Sequence, residues 1–357
     1  MPARLCLFTE ELVPPFDEGY KNFTYHLFKE APEGRDVLRI GRGDAGVIDR
    51  QVYAGKLLLS VRLRKSIREF QPDAVIYVPT ASATPASFLR ARILKQYSRN
   101  APVAIIGLQP RAYDGLRQAA VKLLRPEAVY VQSAMACDIL NRLGVSARVV
   151  RAGVDIDRFR PPVPEQRLVL RRKYGLDEQS KIVLHVGHVN ARRSLEVLAE
   201  VQRIPGAQAV VVGSSSTDQD EELAAFLAGK GVKLLREYVP NIEEIYQLAD
   251  AYVFPVLEST AAIHFPLSVL EAMACNLPVV TTPFGGLADC FEEAGGLCFA
   301  GSTGEILEKL KLVQTVEVRT REIVEPFTWR AVVGNLLSEI DDLVETRRAA
   351  GGTKSWR

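Results

Sequence analysis

Residues 251–286 read AYVFPVLESTAAIHFPLSVLEAMACNLPVVTTPFGG, and the order of elements in this stretch decides the fold. Ala251 to Val256 is an apolar run short enough for a buried strand. Pro266 suits the first turn of a helix, because the N–H it lacks is one a helix leaves unpaired there. Asn276 tolerates the left-handed conformation that ends a helix, and Pro278 blocks resumption. Val279 to Thr282 is the next strand, and Gly285-Gly286 permits positive φ or a close approach to a ligand. A lone carboxylate, Glu271, lies inside the helix. The helix start and its flanking loops then face the crevice beyond the strand ends, where open α/β sheets bind ligands.

The same alternation extends to both sides. Leu5–Thr9, Val37–Ile40, Ala74–Val78, Val103–Leu108 and Val129–Gln132 read as strands of a first sheet, with helical stretches such as Tyr20–Lys29 and Gly55–Phe70 between them. Alternating βα units predict a mostly parallel sheet covered on both faces. Near residue 160 the pattern breaks at Phe159-Arg160-Pro161-Pro162-Val163-Pro164, a stiff proline-rich segment that reads as a linker. A second series follows: Ile182–Val186, Ala209–Val212, Val232–Leu235, Ala251–Val256, Val279–Thr282 and Gly296–Phe299. The expected architecture is α/β, two Rossmann-like domains in tandem over 1–160 and 165–330. The tail Arg347–Arg357 reads as disordered.

Composition narrows the function classes. At 357 residues two domains are favoured over one, and 47% hydrophobic with 25% charged residues is ordinary for a soluble globular protein. The 45 basic residues are balanced by 43 acidic ones, which gives no argument for nucleic acid. Five cysteines (Cys6, Cys137, Cys275, Cys290, Cys298) contain no C-x-x-C pair, so free thiols in a reducing cytoplasm are expected and a metal site is not. Glu10, Glu11, Asp17 and Glu18 near the start exclude a secretory signal, and no apolar run approaches the ~20 residues of a membrane-spanning helix.

Five fragments in order resemble the retaining glycosyltransferases of family 4. Gly153-Val154-Asp155-Ile156-Asp157-Arg158-Phe159-Arg160-Pro161 resembles the family's G-V-D-x-x-x-F-x-P junction. His185-Val186-Gly187-His188 and Val211-Val212-Gly213 resemble the first two strands and turns of its donor domain. Leu270–Cys275 followed by Leu277–Val280 resembles its most diagnostic block, and Phe327-Thr328-Trp329 the start of the final helix. The resemblance implies the GT-B fold: two Rossmann-like domains facing across a cleft, with a C-terminal helix at about 335–350 packing back on the first. It implies a nucleoside diphosphate sugar as donor, a glycan or lipid-linked hydroxyl as acceptor, and no cofactor or obligatory metal.

A carboxylate that accepts two ribose hydroxyls suits such a donor. Glu271 stands where the family places that residue; taken alone it reads as an exposed helix glutamate, although its apolar setting argues against simple solvation. The leaving diphosphate needs cations and aimed N–H groups. The family has an arginine after the glycine turn and a lysine further on before another glycine; here His188, Arg193 and Ser194 stand there. Arg193 is the expected diphosphate clamp, since a guanidinium grips phosphate in a fork and keeps its charge. Arg192 is the adjacent alternative, equally readable as a solvated helix-start arginine. Gly187, Leu267, Ser268, Gly285, Gly286 and Leu287 complete the expected donor site, the last three as amides at a helix start. In the first domain Gly19, Lys21 and Asn22 open a helix that could meet phosphate or acceptor; a plain loop and capped helix reads as well.

Two positions depart from the family. Ile263 replaces the first glutamate of the acidic motif, eight residues before Glu271, and His264 is the polar group expected to substitute. Gln109 stands where many relatives have a histidine beside the reacting sugar, and an amide is no acid or base near neutral pH. Arg111 and Tyr113 follow it as candidate acceptor-pocket residues. The mechanism implied by the resemblance needs little side-chain acid–base work: the departing phosphate oxygen takes the acceptor's proton, and catalysis is positioning plus stabilisation of leaving charge. The alternatives are a weak or inactive relative that binds a nucleotide sugar or a protein partner, and an epimerase of the same fold. A nicotinamide enzyme is disfavoured, because no G-x-G-x-x-G follows a first strand. Basic residues of one first-domain helix (Arg62, Arg64, Lys65, Arg68) raise peripheral contact at the inner face of the cell membrane, as against a solvated helix face.

Overall fold

The computed structural model describes residues 2–32, 34–43, 46–214, 216, 218–313 and 315–352, with side chains up to 349. Two compact units divide the chain. One takes residues up to 151 together with those from 329 onward; the other takes Ala152–Thr328.

The first unit holds a seven-stranded sheet built from β1 (Leu5–Thr9), β2 (Val37–Gly41), β3 (Arg50–Gln51), β4 (Ala74–Val78), β5 (Val103–Gly107), β6 (Ala128–Val131) and β7 (Ala147–Val149). Its order is β3-β2-β1-β4-β5-β6-β7, every pair parallel. Strands β1, β4 and β5 are buried throughout, as continuous Val/Ile/Leu runs require when helices cover both faces. The helix Trp329–Gly352 belongs to this unit. Its Asp341 accepts from the Ala3 amide at 3.0 Å and from Arg35, and Arg348 pairs with Asp73 at 2.6 Å. Arg347 also pairs, with Glu127 at 3.2 Å, so the expected disordered tail is helical at its start. Residues 353–357 lie outside the described residues.

The second unit repeats the plan with six parallel strands: β8 (Lys181–Val186), β9 (Ala207–Val212), β10 (Lys233–Leu235), β11 (Ala251–Phe254), β12 (Val279–Thr281) and β13 (Leu297–Phe299), ordered β10-β9-β8-β11-β12-β13. Strand order reverses between β8 and β11, so connections leave their carboxyl ends in opposite directions and open a crevice there.

Two local expectations need correction. Helix does not begin at Gly55: Gly55 (φ 61°) and Leu58 (φ 57°) turn the chain, and the helix is Val61–Phe70, capped by the Ser60 hydroxyl accepting from the Leu63 amide. The 159–164 stretch is no free linker between the units. Asp155 caps a turn by accepting from the amides of Asp157 and Arg158; Arg158 then pairs with Glu243 at 2.8 Å and Phe159 packs edge-on against Tyr246. These contacts place the passage at 151/152.

Candidate functional site

The site grows from the reversal point of the second sheet. β8 ends at Val186, and Gly187 opens a turn into a single 3-10 turn, Ala191–Arg193. Asn190 caps that turn with its side-chain oxygen on the Arg192 amide at 2.9 Å. Ser194 ends it at φ 55°, a left-handed conformation that glycine adopts most readily. This tight geometry folds the Arg193 side chain back over the strand ends. Arg193 is only 9% exposed, and its Nη2 donates to the Ala261 carbonyl at 3.1 Å. A Cβ on Gly187 would stand 2.4 Å from its Nη1, so only glycine leaves the guanidinium its place. Among the described residues no carboxylate pairs with it. Burial lowers its pKa to about 10, which still leaves it charged at neutral pH.

Tyr252, fully buried on β11, feels the Arg193 charge, and its hydroxyl reaches the Val186 carbonyl at 3.4 Å. Ser268 lies in the first turn of the helix Leu267–Ala274, and Glu271 follows three residues later on the same face. Pro266 precedes this helix as its N-cap residue, and Asn276 ends it at φ 55°. Glu271 is half-buried, and its Oε2 accepts from the Tyr246 hydroxyl at 2.7 Å. Desolvation raises the Glu271 pKa, while the Tyr246 bond pulls the other way. One carboxylate oxygen is thus oriented by the protein. The Tyr246 and Tyr252 rings, 5.9 Å apart, join the glutamate and arginine sides of the site.

The glycine loop after β12 requires correction. Gly285 has φ 58°, and a Cβ there would lie 2.2 Å from the His264 carbonyl oxygen, so the position admits only glycine. No helix starts here, however. The Gly286 amide donates to His264 O at 2.8 Å and the Leu287 amide to Phe284 O at 3.0 Å, which removes both as phosphate donors. Leu287 is buried. Of the three, Gly285 alone has an amide that makes no hydrogen bond among the described residues. His264 is itself buried at 1% exposure, Nε2 against the Ser259 carbonyl at 3.0 Å and ring edge-on to Phe284. It orders the loop through which the backbone passes, and Ile263 beside it is buried.

Arg192 points elsewhere than Arg193. It forks onto Glu258 (Nε to Oε1 and Oε2 at 2.8 and 2.9 Å) and also meets Thr260. That pairing holds the exposed Glu258 carboxyl down at about 2. His188 sits half-buried on the Gly187 turn within electrostatic reach of His185.

In the first unit, Gln109 follows β5 and locks a loop rather than standing alone. Its amide donates to Ser82 Oγ at 3.1 Å, its carbonyl accepts from that hydroxyl at 2.6 Å, and its Oε1 accepts from Arg111 at 3.2 Å. Arg111 and Tyr113 bind the carbonyls of Ala81 and Ala83. Gly19 begins the helix Gly19–Lys29; Lys21 pairs with Glu18 at 3.2 Å, and Asn22 reaches the Phe16 carbonyl at 3.5 Å. Sequence reasoning passed over His185, Tyr246 and Tyr252. A tyrosine or histidine inside a strand-like or helical apolar run reads as core, and only the hydroxyl and ring-nitrogen partners reveal more.

Residues 180–313 match the family model described as Glycosyl transferases group 1. The chain is 26% identical over 385 residues to the sulfoquinovosyl transferase SQD2 of Arabidopsis thaliana, covering 95% of this chain and 73% of that protein. Among solved structures it resembles the sucrose-phosphate synthase of Thermosynechococcus elongatus (18% identity, TM-score 0.71, 96% of this chain and 99% of that one). It also resembles Anabaena HepE in complex with UDP-glucose (16% identity, TM-score 0.65, 97% and 99%). With its two parallel Rossmann-like sheets, the chain has the GT-B fold and is similar, over residues 180–313, to the group 1 glycosyl transferases.

Proposed function

We propose that this chain is a retaining, metal-independent glycosyltransferase that moves a sugar from a nucleoside diphosphate sugar to a hydroxyl of a glycan or lipid acceptor. The observation that carries the reading is Arg193: a guanidinium nine-tenths buried at the reversal point of a parallel sheet, with no carboxylate paired to it among the described residues. A buried cation left in this state is costly, and an anionic ligand removes the cost. The donor diphosphate is that anion. Leu267 and Ser268 would add helix-start amides, and Gly285 an amide, while Glu271 accepts the ribose hydroxyls. Gly187 and His188 would flank the diphosphate. Arg192 would join only by leaving Glu258. Phosphate departure would supply the base for the acceptor hydroxyl, and within the first unit Gln109, Gly19, Lys21 and Asn22 are the candidates for hydrogen bonding to the acceptor.

The donor of the HepE complex makes uridine diphosphate sugars the first candidates, ahead of guanosine and adenosine forms. A thermal-shift series with all three, repeated on Glu271→Ala, tests the reading. One nucleotide should raise the melting temperature of the wild type and do so much less in the variant. No rise with any of them would refute the donor assignment. Ile263 in the place of a sugar-contacting glutamate favours the second reading, a non-catalytic binder; donor binding without hydrolysis or transfer would establish it.

We propose further that the first unit touches an anionic bilayer. Among the described residues no helix is long and apolar enough to cross a membrane. The turn before the helix Val61–Phe70 nonetheless exposes Leu57, Leu59 and Val61, and Tyr53 lies close before it in the chain. Arg62, Arg64 and Arg68 make no ion pair among the described residues, and Lys65 pairs only within its own helix. Apolar side chains beside unpaired cations suit a headgroup layer. Vesicle sedimentation should show salt-sensitive binding; none at low ionic strength would exclude it.

A further inference from the structure

His185 is the least expected side chain of the second unit. It occupies a core position of β8, between Leu184 and Val186, where a valine or phenylalanine would fill the space without a polar atom. Its Nδ1 lies 2.9 Å from the Val253 carbonyl, which can only accept, so Nδ1 carries the proton and Nε2 presents a lone pair. That Nε2 is fully buried and has no hydrogen-bond partner among the described residues. Unpaired buried acceptors are rare in native proteins and disfavour the fold that contains them, so each requires a reason. The reason lies in what Nε2 faces. The point where a Gly187 Cβ would stand is 3.1 Å from it and 2.4 Å from Arg193 Nη1. An acceptor without a donor and a guanidinium with donors to spare thus converge on the one face left empty by a glycine.

We infer that His185 is the positioning residue for Arg193: its Nε2 receives a guanidinium N–H when a diphosphate draws the arginine into its working orientation. The inference rests on the diphosphate reading of Arg193 given above. Its chemistry explains why the group is an imidazole. A carboxylate in this place would fix the arginine equally well but cancel its charge. A neutral imidazole accepts a hydrogen bond and leaves the whole positive charge for the phosphate oxygens. Burial keeps the ring neutral, with a pKa down at about 3, so the acceptor is available at every pH at which the enzyme would work. Arg193 then has an inner edge held by Ala261 O and His185 Nε2 and an outer edge for the ligand, which is the preorganised arrangement a leaving diphosphate needs.

The test uses the full chain, UDP as probe, and two substitutions. His185→Phe keeps the ring shape and removes the acceptor; His185→Gln keeps an acceptor near Nε2. Calorimetry should show UDP binding about tenfold weaker in His185→Phe and within about threefold of wild type in His185→Gln. In an Arg193→Ala background the His185→Phe change should have no further effect on binding. Wild-type affinity in His185→Phe, or an undiminished loss in the Arg193→Ala background, would overturn the inference while leaving the donor reading intact. Should His185→Phe fail to fold, the 15N resonance of Nε2 in the native protein decides: it must shift upfield on UDP addition as the lone pair gains a donor, and no shift overturns the inference. A wild type that binds no nucleoside diphosphate removes the donor reading itself, and this inference with it.

Discussion

Two arginines of the second unit are buried almost equally, yet their surroundings differ in kind. Arg171, 4% exposed, is spent on the protein: it binds Asp250, the Leu248 carbonyl at 3.1 Å, and the carbonyls of Glu178 and Ser180 at 2.9 and 3.0 Å. Arg193, 9% exposed, has one carbonyl and no carboxylate among the described residues. A satisfied buried cation holds elements together; an unsatisfied one is maintained at a cost to stability, and such costs collect at functional sites. On the proposed reading, the contrast separates a structural arginine from one held for a ligand.

The widest separation is expected on removing the second arginine. Arg193→Ala should lower transfer activity by about 100- to 1000-fold, the scale for losing a preorganised group on leaving charge, with a melting temperature no lower than wild type. Activity near wild type would erase the contrast. Arg171→Ala should do the opposite: about 3 kcal/mol of stability lost in denaturant titration, because Asp250 and three carbonyls lose their partner, with UDP affinity of the folded protein unchanged. Gly187→Ala sharpens the comparison further. The backbone there tolerates alanine, but the new Cβ displaces Nη1, so UDP binding should weaken about tenfold, roughly 1.4 kcal/mol, while the melting temperature stays put. The smallest effect concerns acid. The unfolded chain protonates His185 near 6.5 and the native state only near 3, so the unfolded state binds the extra proton between those values and stability falls as pH drops below 6.5. His185→Phe should lack that slope, worth about 1 kcal/mol per pH unit, in denaturation midpoints compared at pH 6.5 and about 5.5.

The fold was legible because each element of 251–286 carried its own punctuation. Asn276 does take the left-handed conformation, and the apolar runs on either side are parallel strands. Glu271 could be named as a candidate because a carboxylate in apolar surroundings invites a reason, and Arg193 because the resemblance places a cation at that position. Less was readable where one residue type serves two ends. A glycine pair announces a turn but not which amides the turn consumes, so Gly286 and Leu287 were misjudged while Gly285 keeps a steric role. Leucines at 57–59 fit a helical period, but two left-handed residues override it. His185 and Tyr252 looked like core filling, since burial hides a polar atom from any pattern of hydrophobicity.

Consider finally the helix Trp329–Gly352 with its anchor Asp341, which holds the Ala3 amide and Arg35. A ribosome makes residues 152–328 in one uninterrupted run, whereas the unit that precedes them in the chain must wait for the segment from 329 onward. The second Rossmann-like body can therefore mature while its predecessor is still incomplete, and nascent chains halted near residue 328 should protect the later-made body from protease but not the earlier one.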